Sequence, residues 1–261
     1  MKTLDEIALK YGTDKSSRKH NYTKLYAAYF EALRDKPITI LEIGIANGHS
    51  LLTWKEYFIK AKLVGADIED CKELEQERIY TEKGDQSDPA FLAMINKKHG
   101  PFDIIIDDGS HRNPDMKASF DCLFPLLKPD GIYVVEDLHM CYWGKTHGAG
   151  EPVFIDKIKE LVDYVNSSGK SGTGNHALDA TDAYHLNNKT VLSWWEDAIQ
   201  FMHLYRSIVF IKKYPAKIEG STYVVDMPRL LDRTRRKVRF MWKRVSELTW
   251  AKQKTGGSKA K

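Results

Sequence analysis

The stretch Leu41-Glu42-Ile43-Gly44-Ile45-Ala46-Asn47-Gly48 decides how this chain is read. It lies at the end of ITILEIGI, an apolar, β-branched run that is short enough to be a buried parallel strand. Pro37, just before the run, ends any preceding helix. NGHSLLTWKEYF follows as a helix and AKLVGADIE as a second strand. Glycines at such a strand-to-helix turn let the backbone approach a ligand closely. The free N–H groups of the helix start suit a carboxylate or phosphate. In Gly65-Ala66-Asp67-Ile68-Glu69 an acid closes the second strand, where it can accept the hydroxyls of a ribose. The glycine pattern alone is a weak signal, because Ala46 replaces its middle glycine and a nicotinamide enzyme needs the same parts.

Working outward, the alternation continues. Residues 87–98 read as a helix with Ser87 or Asp88 as N-cap and Pro89 near the first helical position. FDIIIDDG is a strand, NPDMKASFDCLFPLL a helix, and GIYVVEDL a strand after the turn LKPDG. AIQFMHLYRSIVFIKKY reads as two strands joined tightly near Arg206–Ser207, an antiparallel pair at the sheet edge. Upstream, residues 3–35 have helical spacing with a polar break at Gly12–Asn21. The expectation is an α/β chain with a seven-stranded, mostly parallel sheet and helices on both faces. It divides into a helical cap at 1–36, the main domain at 37–215 and a basic extension at 216–261.

The most informative residues are Asp107-Asp108-Gly109-Ser110-His111 after the fourth strand and Glu136-Asp137 after the fifth. Neighbouring strands lie about 4.8 Å apart, with their C-terminal ends facing the ligand crevice. Carboxylates ending side by side repel one another. A hard divalent cation resolves that repulsion, and oxygen ligation suits Mg²⁺ best. A cation beside a hydroxyl lowers its pKa, and a nearby His, here His111, can take the proton.

The third turn, Lys83-Gly84-Asp85-Gln86, brings in a resemblance. LEIG…G, an acid after strand two, and Gly-Asp in that order resemble the class I S-adenosylmethionine (SAM)-dependent methyltransferases, where Asp85 would lie near the adenine amino group. DDGSH followed by VVED, with KYGTDK and LEIGIANGHSLLTW, resembles the Mg-dependent macrolide-sugar O-methyltransferases of the mycinamicin and tylosin pathways. The resemblance covers most of residues 9–140 and returns around Leu204–Lys212. It implies a Rossmann-like class I fold with SAM held by Thr13, Lys15, Glu42, Gly44, Asn47, Ser50, Asp67, Asp85, Gln86 and Asp107. It further implies Mg²⁺ on Asp108, Glu136 and Asp137, and His111 as general base. The acceptor would be a hydroxyl of a sugar, a glycosylated natural product or a polysaccharide, with two neighbouring hydroxyls on the cation.

Tyr11, Thr13, Asp14 and Lys15 would close over SAM, although Thr13 and Asp14 could simply end one helix or cap the next. Asp107 could replace Asp108 as ligand or stand behind it, and His139 could face the site or cap the following helix. Catechol-type methyltransferases share the strand-end acids but lack the GSH segment, which favours a sugar-type acceptor. Two other classes remain as alternatives. A nicotinamide-dependent oxidoreductase has no use for the acid cluster, and a non-catalytic scaffold has no need to keep repelling carboxylates together. No two-His-one-carboxylate iron site is visible.

Composition bounds the rest. At 261 residues and 42% hydrophobic, the chain can bury one substantial core. Three cysteines without a CxxC read as reduced thiols, and no apolar leader or 18-residue apolar run is present, so a cytoplasmic protein is expected. From Arg229 to Lys261 there are 12 Lys/Arg against 2 Asp/Glu, while the remainder carries 28 against 34. This basic tail has amphipathic spacing. It could lie on an anionic membrane surface, pack on the domain with a solvated face or, less readily, contact nucleic acid. The loop 142–150 and the stretch 176–195 are expected to shape the acceptor pocket, with Tyr142, Trp143 and Tyr184 as stacking surfaces and Trp194 and Trp195 as core. The Gly/Ser-rich 167–175 is expected to be a loop. The family's habit of assembling through helical additions leaves room for a homo-oligomer.

Overall fold

Five β-branched stretches form the parallel part of the sheet: β1 (Thr39–Ile43), β2 (Lys62–Asp67), β3 (Ile79–Lys83), β4 (Ile104–Asp107) and β5 (Ile132–Val135). In the computed structural model, residues 1–144, 153–166, 191–193, 195, 198–215 and 222–224 are described. The expectations for 145–150, 167–190, Trp194 and the tail from Arg229 fall outside them. β7 (Ile199–Tyr205) and β8 (Ile208–Lys213) complete a seven-stranded sheet in the order β3-β2-β1-β4-β5-β8-β7. β8 runs antiparallel to β5 and to β7, and Arg206–Ser207 makes the turn, with Ser207 at φ 69°. β6 (Val191–Ser193) and β9 (Thr222–Val224) pair in parallel as a separate small sheet.

The strands are apolar on both sides because both faces are covered. Leu41, Ile43, Val64, Ile105, Tyr133 and Val135 face α4 (Pro89–His99), α5 (Asn113–Leu123) and α6 (Phe154–Asn166). Ile40, Leu63, Ile104, Ile106, Val134 and Phe210 face α1 (Leu4–Tyr11), α2 (Thr23–Phe30) and α3 (His49–Tyr57). Asp88 caps α4 through Ala90 N at 2.8 Å, and Pro89 opens it, as the local sequence suggests. α6 is an addition to the sequence reading; its buried Phe154, Ile158 and Leu161 recur at helical spacing. Trp195 is buried, stacked on Phe120 and Phe124. Among the described residues no helix is long and apolar enough to cross a membrane.

The N-terminal helices end earlier than Pro37 alone would require. α1 opens on a capping box of Thr3 and Glu6 and closes on Gly12 at φ 77°. α2 runs out into a 3₁₀ turn at Glu31–Leu33. Between α1 and α2 the polar break folds back on Asp5, whose carboxylate accepts from Ser17 N (2.8 Å), Ser17 Oγ (2.7 Å) and Thr23 Oγ1 (2.8 Å). Burial alone would raise the Asp5 pKa; the hydrogen bonds from Ser17 and Thr23 outweigh it and hold the carboxyl below its ordinary 3.8. Asp5 thus anchors the segment that reaches the sheet's C-terminal ends.

Asp5→Ala should cost about 0.5–1.5 kcal/mol, the net worth of an intramolecular hydrogen bond, with buried Thr23 the donor most affected. Because the folded pKa is depressed, that contribution is present above the ordinary carboxylate pKa and lost as pH falls through the lowered value. Urea unfolding of both proteins at pH 7 should show the gap, and unfolding at the acid end should show it closing.

Candidate active site

Register sets the site. Ile43 pairs with Asp107 and Asp107 with Val135, so the residues that follow, Gly44, Asp108 and Glu136, leave three adjacent strands at one level. Backbone bonds extend this alignment by one step: Asp108 N donates to Ile43 O at 2.9 Å and Glu136 N to Asp107 O at 3.0 Å. Gly44 has φ 87°, and a Cβ there would stand 2.1 Å from the carbonyl oxygen of Asp108. Only glycine permits both the turn and that approach.

Over these strand ends opens a cleft of about 540 Å³. Thr13, Lys15, Gly44, Asn47, Ser50, Asp67, Asp85, Gln86 and Asp108 line it. Asp67 is tied to the glycine turn itself, accepting from Ile45 N (2.7 Å) and Ala46 N (3.2 Å) as well as from Glu69 N (3.0 Å). Burial would raise its pKa, but these amides hold it below the ordinary carboxylate value. Asp85 accepts from Ser87 N at 2.7 Å, closing its own turn. Gln86 bridges turns, donating to Asp107 Oδ1 (3.2 Å) and accepting from Ser110 N (2.7 Å). Asp14 lines the cleft, while the Tyr11 hydroxyl turns to Glu56 at 2.9 Å.

Glu42 and Asp107, read among the cofactor residues, lie beneath the cleft and outside its lining. Glu42 accepts from Ser50 Oγ (2.8 Å) and Trp54 Nε1 (3.3 Å), and burial pushes its pKa up to about 7. Asp107 accepts from Ser119 Oγ, Tyr133 OH and Gln86, and burial pushes it up to about 6. Lys15 is the counter-charge. Its ammonium is buried against Asp108, 2.8 Å from Glu136 Oε1 and 3.7 Å from Glu42 Oε1. Burial works against charge on Lys15, but Asp108, Glu136 and Glu42 outweigh it and hold its pKa well above the ordinary lysine value. Glu136, buried and facing Asp108, is pushed well above the usual carboxylate range. Lys15, Glu42 and Glu136 are thus displaced upward together.

Beyond Asp108 and outside the cleft lining stand His111 and Asp137. Ligand atoms of Asp108, His111 and Asp137 all lie within 4.8 Å of one another, a group able to hold a metal ion. His111 Nε2 is 3.8 Å from Asp108 Oδ1 and 3.8 Å from Asp137 Oδ2. His111 Nδ1 is buried and has no hydrogen-bond partner. His111 and Asp137 have φ of 54° and 53°, a left-handed backbone that strains non-glycine residues by about 1–3 kcal/mol each. Glu136, read as a third ligand, lies outside this group, with Lys15 and Tyr26 OH both on its Oε1. His139 sits in a 3₁₀ turn at Leu138–Tyr142, engaging Ser207 Oγ and the Trp143 ring. Sequence reasoning missed Tyr22 and Tyr26, whose hydroxyls donate to Asp137 and Glu136. Within residues 3–35 their spacing reads only as helical.

The sheet order and a solved structure define the class: this is a class I methyltransferase fold. The MycE methyltransferase of the mycinamycin biosynthetic pathway, in complex with Mg and SAH, superposes with a TM-score of 0.72 at 30% identity, over 86% of this chain and 56% of that one. In sequence, the chain is 33% identical over 222 residues to the demethylmacrocin O-methyltransferase of Streptomyces fradiae, covering 80% of this chain and 53% of that protein. It is 35% identical over 220 residues to the 8-demethyl-8-alpha-L-rhamnosyl tetracenomycin-C 2'-O-methyltransferase of Streptomyces olivaceus, covering 80% and 54%. The chain thus spans about half the length of the curated relatives it matches. No protein-family model matches it.

Lys15→Met removes the one ammonium facing Glu42, Asp108 and Glu136, and should destabilise the protein by about 3–5 kcal/mol. Denaturant unfolding in EDTA measures this without interference from added metal, and a loss under 1 kcal/mol would show that the acids do not depend on Lys15.

Proposed function

We propose that the chain is a SAM- and Mg²⁺-dependent O-methyltransferase acting on a hydroxyl of a sugar, in a glycosylated natural product or a polysaccharide. The observation that carries this reading is the convergence of Asp108, His111 and Asp137 at the edge of a cleft that Asp108 also lines. Relatives with O-methyltransferase names and a solved relative in complex with Mg and SAH support it.

The residues fit both groups. The glycine turn is a cradle that a Cβ at Gly44 would fill, and Asp67, Asp85 and Gln86 offer polar atoms around it. The carboxylates of Asp108, Asp137 and Glu136 are the hard oxygen donors that Mg²⁺ prefers. When bound, SAM supplies an activated methyl group, and Mg²⁺ supplies positive charge that eases loss of the acceptor's proton. The chain's own residues do the rest. Asp108, shared by cleft and acid group, sets the acceptor hydroxyl beside the methyl donor. His111 takes the hydroxyl proton at Nε2, the ring nitrogen that faces Asp108 and Asp137, since Nδ1 is buried. SAM held by the cleft residues would supply the methyl carbon to the acceptor oxygen, its sulfur being the group able to leave with the electron pair of the C–S bond.

Calorimetric titration of S-adenosylhomocysteine into EDTA-treated protein, then with Mg²⁺, is the direct test; absence of binding in both would end the reading. His111→Ala should keep S-adenosylhomocysteine affinity and lose about 100- to 10,000-fold in turnover on sugar acceptors. A wild-type rate would remove His111 from the mechanism.

A further inference from the structure

Tyr22, Tyr26 and Lys15 all come from the N-terminal segment, and each meets an acid far away in sequence. The pattern of atoms is specific. Tyr22 OH donates to Asp137 Oδ1 at 2.8 Å, while Asp137 Oδ2 is the oxygen turned to His111. Lys15 Nζ takes Asp108 Oδ2, while Asp108 Oδ1 is turned to His111. Tyr26 OH and Lys15 Nζ share Glu136 Oε1. In both acids beside His111, one oxygen is engaged by the N-terminal segment and the other faces the space between them.

The two phenols are built for this. Tyr22 and Tyr26 are four residues apart at the start of α2, so they project from one helix face onto consecutive acids after β5. Both rings are buried, at 3% and 0% exposure. Tyr22 is further fixed by stacking on His20, at 5.2 Å between ring centroids. His20 Nδ1 stands 4.0 Å from the same Asp137 Oδ1, and Tyr22 OH also lies 3.4 Å from Ser207 O. Tyr26 is held edge-on by Trp54 and Phe210.

We infer that Tyr22, at the N-cap of α2, is a positioning residue that occupies one oxygen of Asp137 and thereby orients the other for a divalent cation, while Tyr26, one turn on, fixes the neighbouring Glu136. The inference rests on the metal-dependent reading above. Partners that orient ligating carboxylates affect metal affinity by about 10- to 100-fold.

The test is Mg²⁺ titration of the full chain saturated with S-adenosylhomocysteine, comparing wild type with Tyr22→Phe, Tyr26→Phe and Tyr29→Phe. Tyr29 lies on the same helix, but its hydroxyl bonds His203 and Tyr205, so it controls for loss of a phenol as such. Tyr22→Phe should weaken Mg²⁺ binding about 10- to 100-fold with S-adenosylhomocysteine affinity unchanged, and Tyr29→Phe should bind Mg²⁺ as wild type does. Should the deeply buried Tyr26→Phe fail to fold, Tyr22→Phe alone decides. Wild-type Mg²⁺ affinity in Tyr22→Phe, or equal losses of Mg²⁺ and S-adenosylhomocysteine affinity, overturns the positioning role of Tyr22. If wild type itself takes up no Mg²⁺, the metal-dependent reading falls, and the role of Tyr22 with it.

Discussion

The Lys15 ammonium, buried among Glu42, Asp108 and Glu136, is the contact on which the arrangement of this molecule turns. Parallel register forces the ends of β4 and β5 to one level, so Asp108 and Glu136 meet whether or not their charges permit it, with Glu42 two residues lower on β1. Taking carboxylates out of water costs several kcal/mol each unless an opposite charge and hydrogen bonds replace the solvent. Lys15 supplies the charge, and Ser50, Trp54 and Tyr26 supply hydrogen bonds. Among the described residues, the ammonium paired with these acids comes from the segment before β1. The N-terminal segment thus contributes a side chain to the acid cluster. Asp5 anchors the turn that delivers Lys15, and Tyr26, Phe30, Trp54 and Phe210 pack the segment onto the sheet.

From this constraint follows a division of space. The glycine turn, Asp67, Asp85 and Gln86 surround the cleft, while His111 and Asp137 stand outside its lining. Asp108 belongs to both regions: it lines the cleft and faces His111. A group carried in the cleft and a group bound by the acids would meet at this residue, which is the geometry a transfer reaction needs. Gln86 couples the regions from below, since it holds the Ser110 amide of the loop carrying His111 and the Asp107 carboxylate together.

Much of the fold was legible because it is local. β-branched runs, the Asp88-Pro89 cap and the two-residue turn before β8 each follow from a few neighbouring residues, and the antiparallel edge pair lies where it was expected. The acids after β4 and β5 could be placed together because a parallel sheet leaves no other option. What could not be read is the partner of each acid. Tyr22 and Asp137 are 115 positions apart, and Lys15 and Asp108 are 93 apart, so no spacing rule connects them. Glu42 shows a subtler limit. Its position beside Gly44 suggested a ligand-facing carboxylate, but strand alternation turns it to the side of Ile40, beneath α3. α6 went unread although Phe154, Ile158 and Leu161 carry a helical repeat, because it lies in a region interpreted only for loops.

Stability alone does not account for this site. Buried ion clusters are commonly no more stable than apolar groups of the same volume, and here one ammonium faces three carboxylates. His111 and Asp137 add backbone strain, and His111 Nδ1 is buried with no hydrogen-bond partner. Four separate costs fall within one small region: excess negative charge, desolvation, strain and an unpaired nitrogen. A scaffold would relieve them by replacing the acids. The proposed function would require them as they are: acids gathered together attract a cation, and a strained backbone would hold His111 and Asp137 in place.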